Sequence, residues 1–473
     1  MRPIEITILT TMFVDVFLRM TGLRSRWRWP ILLPMLALFL VGVHLISEGY
    51  RWQMWPAYVL ATGLSLPTLR ILREHDDLPR LPYSRMRAIA TGTVTLLLLA
   101  VAAFLPWAMP VPRVPAATGP YAVGTVTQHL VDSARRETYS GRSDEPRELM
   151  VQLWYPVEPP APAAARAPYL DHIDVIGPAL AESVGLPALF LDHVALSLTD
   201  AVLEADVSRA ETSYPVVVFS HGWTSIRSLH TTLAMELASH GYVVVGIDHP
   251  YGAAVTVFPD GRAVFVNEEA LPFGAPDEEF QRAANTLADV WATDVQFVLD
   301  TLASANKDDP RFGGRLDLGH VGMFGHSTGG GSMLEFCARD DRCTALLAMD
   351  AWFPPVSDAV LSSGIPQPLL FMHSEVWSTA VNDALRDRFL AAQTAETYEL
   401  TIAGTQHYDF TDTGLLTPFA PRLGLRKGPI DAERGLRIVN AYALAFFDSF
   451  LKGAPSDLLA GPSAEYPEVD LRK

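Results

Sequence analysis

Acyl transfer by a serine needs a nucleophile, a base to deprotonate it and an acid to orient the base, and one serine in this chain has the setting for it. Ser327 stands in Gly325-His326-Ser327-Thr328-Gly329, with Gly330 and Gly331 next. The preceding run HVGMF reads as a strand and the stretch from Gly330 to Ala338 as a helix. In such a strand-to-helix elbow the serine takes a strained backbone conformation, and its neighbours must be small or they clash with the adjoining strand and helix. The bare string G-x-S-x-G occurs by chance, and the strand–turn–helix context is what gives it weight.

In this fold class the triad follows the chain order serine, acid, histidine. Of the 13 histidines, His373 and His407 follow Ser327 after at least one further strand. His373 lies within the apolar run PLLFMHS and reads as a core residue. His407, in Gly404-Thr405-Gln406-His407-Tyr408, falls in a loop after the last strand and is the candidate general base and acid. Two carboxylates compete as its partner: Asp350 at the end of TALLAMD, and Glu375 at the end of PLLFMHSE. Position does not separate them. Two backbone N–H donors are needed for the oxyanion. Thr328 supplies one candidate. The loop Ser220-His221-Gly222-Trp223 supplies the other through Trp223, with His221 as scaffold rather than a second base.

The elements that must position these groups are short apolar runs separated by helical stretches from Tyr214 onward. The runs are 215–220, 242–248, 320–324, 344–350, 368–374 and 397–403, with helices near 229–239, 280–305, 330–338, 382–392 and 432–451. Continuous apolar strands alternating with amphipathic helices predict a mostly parallel sheet flanked by helices, an α/β-hydrolase fold over residues 121–473. Stretches 121–130 and 148–155 read as an antiparallel pair and 158–167 as a surface loop. Segments 167–201 and 251–275, the second with a hairpin around Pro259-Asp260-Gly261, frame the mouth or pack as core.

Composition divides the chain. Residues 1–119 carry 12 Arg, no Lys and six acidic residues, whereas the whole chain has a net charge of −17. The acidic remainder repels polyanions, so nucleic acid is excluded as a partner. The N-terminal quarter holds charge-free stretches of 19 residues after Arg28, 18 after Arg51 and 25 after Arg87, lengths suited to crossing a bilayer. Residues 1–111 therefore read as a membrane region of three or four transmembrane helices: Ile4–Leu23, which Asp15 interrupts, is a fourth span or a surface helix, and the alternative for the Trp-rich middle stretch is an interfacial segment. No short apolar run precedes a small-residue cleavage site, against a cleaved signal peptide. Residues 112–120 form a Pro-rich linker. Arg24, Arg26 and Arg28, with Arg70, Arg73, Arg80, Arg85 and Arg87, put the basic loops inside and the hydrolase on the outer face. Transport is a poor alternative, because the spans show no intramembrane charge pair. Cys337 and Cys343 either bridge, in an oxidising compartment, or stay free; no second pair or His cluster supports a metal.

Taken together, FSHGW at 219–223, LASHGYVVVGIDH at 237–249, GHSTGGG at 325–331, AMDAWFPP at 348–355, PQPLLFMHSE at 366–375 and GTQH at 404–407 resemble the plasma-type platelet-activating factor acetylhydrolases and their bacterial relatives, over roughly residues 120–452. The resemblance implies an α/β-hydrolase without metal or cofactor that cleaves short or oxidised acyl groups from phospholipids. It implies Asp350 rather than Glu375 as the triad acid, giving Ser327, Asp350 and His407. The N-terminal membrane region and the mouth segments depart from the secreted animal enzymes, which leaves a broad small-ester or polyester esterase as the alternative, and a non-catalytic binding protein as the rival from another class.

Overall fold

The computed structural model describes residues 1–26, 29–74, 84–142, 144–159 and 164–473. Arg28 and Arg80, counted above for orientation, and residues 160–163 of the surface loop lie outside the described residues. The chain divides into two compact units. One comprises Met1–Pro112 with Asp192–Ser197 and Leu416–Phe419; the other comprises Arg113–Leu191, Leu198–Leu415 and Ala420–Lys473.

In the first unit, helices α1 (Pro3–Met20), α2 (Leu33–Ser47), α3 (Trp55–Glu74) and α4 (Arg85–Ala108) pack around a narrow seam of Ile8, Met12, Ala37, Val41, Ala57, Ala61, Leu99 and Ala102. The small residues in that seam let helix backbones approach closely. Phe13, Phe17, Phe39, Ile46, Leu66, Leu97, Val101 and Phe104 point outward instead. By length and composition, α4 and the segment Trp29–Ser47 containing α2 suffice to cross a membrane. Charge is held inward: Asp15, which interrupts the first apolar stretch, is buried against Arg19 at 2.6 Å and Arg24 at 3.5 Å. Arg51, just before α3, is buried on Glu5 of α1 at 2.6 Å and also donates to the Met109 carbonyl. Sequence reading found no such pair, because the two residues lie far apart along the chain and meet only where helix ends converge.

The second unit is built on one eleven-stranded sheet. Its strands are β1 (Ala122–Arg136), β2 (Pro146–Val157), β3 (Arg166–Pro168), β4 (Leu198–Leu203), β5 (Tyr214–Ser220), β6 (Val243–Asp248), then after a separate hairpin β7 (Val255–Val257) and β8 (Ala263–Phe265), β9 (Leu316–His326), β10 (Cys343–Met349), β11 (Leu369–Val376), β12 (Thr397–Gln406) and β13 (Val469–Arg472). The order is β13-β12-β11-β10-β9-β5-β6-β2-β1-β4-β3. From β12 to β6 the neighbours run parallel; β1 on β2, β2 on β6 and β13 on β12 are antiparallel. The predicted strands are all present. The edge strand β13 escaped the sequence reading because four residues carry too little pattern.

Alternation explains the layers. Val216 and Val218 of β5 face one side and Val217 and Phe219 the other, as the two-residue period of a strand requires. The first face is covered by α7 (Asp277–Asp308), α8 (Thr328–Cys337), α9 (Asp358–Ser363) and α10 (Ala380–Ala392), and the second by α6 (Thr231–Ser239) and α12 (Ala432–Leu451). The remaining helices are α5 (Ile173–Ser183), beside the β7 hairpin, and α11 (Thr413–Leu416), one turn long. With both faces buried, the central strands can be uniformly apolar, which is the pattern the sequence carries. Residues 118–121 are docked on α6, Thr118 N–H donating to Glu236 and Tyr121 N–H to the Ser239 carbonyl. Cys337 at the end of α8 and Cys343 at the start of β10 form a disulfide.

Candidate active site

Every candidate residue lies at or just beyond the carboxyl end of a parallel strand, where open α/β sheets place their ligands. Trp223 follows β5, Ser327 follows β9, Asp350 follows β10, Ser374 and Glu375 end β11, and His407 follows β12. Ser327 has φ 56° and ψ −121°, a region costly for a residue with a side chain. Its N–H donates to the Met349 carbonyl of β10 at 3.0 Å, and its carbonyl accepts from Trp352 N–H at 2.9 Å. The flanking glycines are required by contact. A Cβ on Gly329 would sit 2.1 Å from the Ser220 carbonyl oxygen, and one on Gly325 would sit 2.5 Å from the Gly329 backbone. Backbone strain recurs next to Ser327: Asp350 has φ 41° and Thr224, in the β5 loop, φ 58°.

His407 Nδ1 lies 3.1 Å from Asp350 Oδ2. The same carboxylate accepts from Ser374 twice, Oδ1 from the backbone N–H at 2.8 Å and Oδ2 from the hydroxyl at 2.6 Å. Glu375 is turned elsewhere: it is exposed, and its Oε2 accepts from Gly404 N–H at 2.6 Å. His373, read as a core residue, stacks on Phe371 at 5.5 Å. Trp377 lies flat on the His407 ring at 4.2 Å, and His326 donates from Nε2 to the His407 carbonyl at 3.0 Å, tying the elbow to the histidine loop. Asp409 braces that loop by accepting from Gln406 and Gly428 N–H groups while paired with Lys427. Burial pushes the His407 imidazole down to about 3, so the ring is uncharged at neutral pH and has a nitrogen lone pair free to take a proton. Burial pushes the Asp350 carboxyl up to about 7 against its two hydrogen bonds from Ser374.

The oxyanion candidates border the same point. A Cβ on Gly222 would lie 3.1 Å from Ser327 Cβ, so the β5 loop passes directly beside the serine. Thr224 N–H is used by the Gly252 carbonyl and Ser225 N–H by that of Gly222, whereas the N–H of Trp223 carries no hydrogen bond among the described residues. Thr328 begins α8, and the first N–H groups of a helix have no partner within it. Trp223, Phe280 and Trp352 pack against one buried cluster of Ala270, Leu271, Ala284, Leu287 and Trp291. Phe273, Phe280 and Trp352 form an aromatic group that the sequence reading did not single out, with ring centroids 5.6–6.2 Å apart.

A second Ser–His–Asp arrangement lies behind the β5 loop. Ser220 Oγ is 3.0 Å from His249 Nε2, and His249 Nδ1 is 2.8 Å from Asp294 Oδ2. All three are fully buried, and Asp294 is clamped by Arg147 at 2.6 Å and Arg135 at 2.9 Å. A substrate cannot reach this serine. Its carboxylate is held far below the usual range, in spite of burial, chiefly by Arg147 and His249. Ser220 and His249 lie within the 219–223 and 237–249 motifs, but nothing in the sequence joined them to each other or to Asp294, because their spacing matches no triad.

A strained serine between strand and helix, on a mostly parallel sheet flanked by helices, defines an α/β-hydrolase of the serine esterase class. Residues 108–454 match the family model "Platelet-activating factor acetylhydrolase, isoform II", and the chain belongs to that family. It is 28% identical over 359 residues to the platelet-activating factor acetylhydrolase of Cavia porcellus, covering 72% of this chain and 78% of that one. It is 27% identical over 416 residues to a probable 1-alkyl-2-acetylglycerophosphocholine esterase of Arthroderma benhamiae, covering 80% of this chain and 99% of that one. Among solved structures, a ferulic acid esterase from Streptomyces cinnamoneus superposes with a TM-score of 0.63 at 30% identity, over 77% of this chain and all of that one. The chain is a carboxylic ester hydrolase.

Proposed function

We propose that this enzyme cleaves a phospholipid-like ester carrying a short acyl chain, through an acyl-enzyme on Ser327. The observation that carries the reading is the contact of His407 with Asp350, next to a serine held in a strained elbow. In the proposed cycle His407 takes the proton of Ser327 as its oxygen adds to the ester carbonyl. The N–H groups of Trp223 and Thr328 hold the oxyanion, and Asp350 fixes the imidazole and stabilises the imidazolium. The proton then passes to the leaving alcohol. Water, deprotonated by the same imidazole, releases the acid and regenerates Ser327. No step calls for a metal or cofactor.

Residues 1–111 are assigned to a membrane, with the catalytic unit, 121–473, on the outer side after the 112–120 linker. Support comes from the outward-facing Phe and Leu side chains of α1–α4, the two helices long and apolar enough to cross, and the arginines of the two intervening segments. A bilayer would bring a lipid ester and the site to one surface. The test is a panel of phosphatidylcholines differing only in the sn-2 acyl chain, assayed with the membrane-embedded enzyme. The reading requires rates that fall steeply as that chain lengthens.

The second reading is a broad small-ester or polyester esterase. The likeness to a ferulic acid esterase and the aromatic group of Phe273, Phe280 and Trp352 favour it. Soluble aryl esters turned over faster than every phospholipid, with no gain from an interface, would select it.

A further inference from the structure

The Gly222–Trp223 peptide is trans, so its carbonyl and its N–H point in opposite directions. Whatever grips the carbonyl therefore aims the N–H. Two groups grip it: His221 Nδ1 donates to the Gly222 oxygen at 2.7 Å, and Ser225 N–H donates at 3.0 Å. We propose that His221 is a positioning residue for the oxyanion hole, fixing the Trp223 N–H through the carbonyl of the same peptide. This rests on the reading of Ser327 as nucleophile and Trp223 as oxyanion donor.

The imidazole is itself held from behind. His221 Nε2 accepts from the His249 N–H at 3.2 Å, which leaves the proton on Nδ1, where the Gly222 carbonyl needs it. The ring packs edge-on to Trp291 at 5.2 Å, and His249 lies flat on the same indole at 4.4 Å. His249 cannot turn, because Asp294 holds its Nδ1–H and Ser220 donates to its Nε2. Arg147 and Arg135 in turn hold Asp294. The buried Ser220–His249–Asp294 group thus acquires a purpose: it anchors the last residue of β5 and, through His221, the peptide that starts two residues further on. Preorganised donors cost no reorganisation when charge develops, which is the advantage of such rigidity.

The test compares His221→Asn with His221→Leu, two side chains with the same branching of which only Asn can donate to the Gly222 carbonyl. Turnover of a soluble ester is read together with inhibition by a trifluoromethyl ketone, whose hemiketal on Ser327 carries an oxyanion, and by the matching non-electrophilic alcohol. The Leu variant should lose on the order of 10² in kcat with KM changed by less than about threefold, and the ketone's affinity should fall while the alcohol's does not. The Asn variant should keep kcat within about tenfold of the parent. Equal losses in both variants, or a loss that leaves the ketone's affinity intact, would overturn the proposal. If the Leu variant does not fold, His221→Ala takes its place with the same expected losses, and turnover equal to the parent's in both Ala and Asn variants sinks the proposal. Ser327→Ala, run in parallel, separates the two layers. Turnover surviving that change removes the reading of the nucleophile, whereas turnover that needs Ser327 but ignores His221 removes only the present inference.

Discussion

Asp350 faces His407 with one carboxylate oxygen, Oδ2 lying 3.1 Å from Nδ1, while Ser374 donates to both of its oxygens from the neighbouring strand. The carboxylate is thereby held in one orientation, on a residue whose own backbone has a positive φ of 41°.

If Asp350 orients His407, Asp350→Asn should cost on the order of 10⁴ in kcat, through the wrong tautomer and the lost partner of the imidazolium. Asn tolerates a positive φ better than most residues, so the backbone should not be disturbed. Glu375→Gln should cost less than about tenfold, since that carboxylate only caps the Gly404 N–H. Steady-state kinetics on the two variants would check this. The reverse ranking excludes the assignment.

Acid should switch the enzyme off in a single limb. Catalysis requires ionised Asp350 and neutral His407; the imidazole is depressed to about 3 and the carboxyl raised to about 7. Activity is therefore complete above the Asp350 value and is lost as pH falls through it. Ser374→Ala removes a hydrogen bond that favours the carboxylate, so the limb in kcat/KM should move to higher pH.

The same shift has a signature in stability. A carboxyl with a folded pKa above its unfolded value contributes stability below the unfolded value and loses it as pH rises through the folded one. Asp350→Asn should thus raise the melting temperature relative to the parent at pH 8, and the advantage should shrink toward pH 4. An advantage that does not vary with pH would mean that the carboxyl is unperturbed.

Ser327→Ala should abolish ester hydrolysis and labelling by a fluorophosphonate probe while the melting temperature stays within a few degrees of the parent. Labelling that persists would place the nucleophile elsewhere. His407→Ala should lower turnover by several orders of magnitude, because the base and nucleophile act as one unit.

Cys337 and Cys343 should resist alkylation in the unfolded, unreduced protein and gain two labels after reduction, read by intact mass. The bridge closes a short loop between α8 and β10, and Cys337→Ser with Cys343→Ser should lower stability by about 2–3 kcal/mol. Labelling before reduction would show free thiols.

A protease added to intact cells or spheroplasts should digest the chain beyond Pro112 if the catalytic unit lies outside. Protection would reverse the proposed orientation.

The local sequence was enough for the frame of this protein. Uniformly apolar runs such as PVVVFS can only be stable where both faces of a sheet are covered, so a parallel, helix-flanked sheet was legible from them. So was the elbow, because the glycines around Ser327 answer to contacts that any strand–turn–helix of this kind must make. An apolar N-terminal quarter rich in Arg and free of Lys was equally plain. Pairings between distant residues were not. Asp350 and Glu375 end adjacent strands, and nothing in either neighbourhood tells which carboxylate turns toward His407; that depends on a backbone torsion and on where Ser374 and Gly404 place their donors. Burial decided the rest. Ser220, His249 and Asp294 have the right chemistry for a triad and no access for a substrate, and Glu5 meets Arg51 only because helix ends converge. Patterns of period two or 3.6 report on neighbours along the chain, whereas hydrogen-bond partners and solvent access are properties of the packed whole.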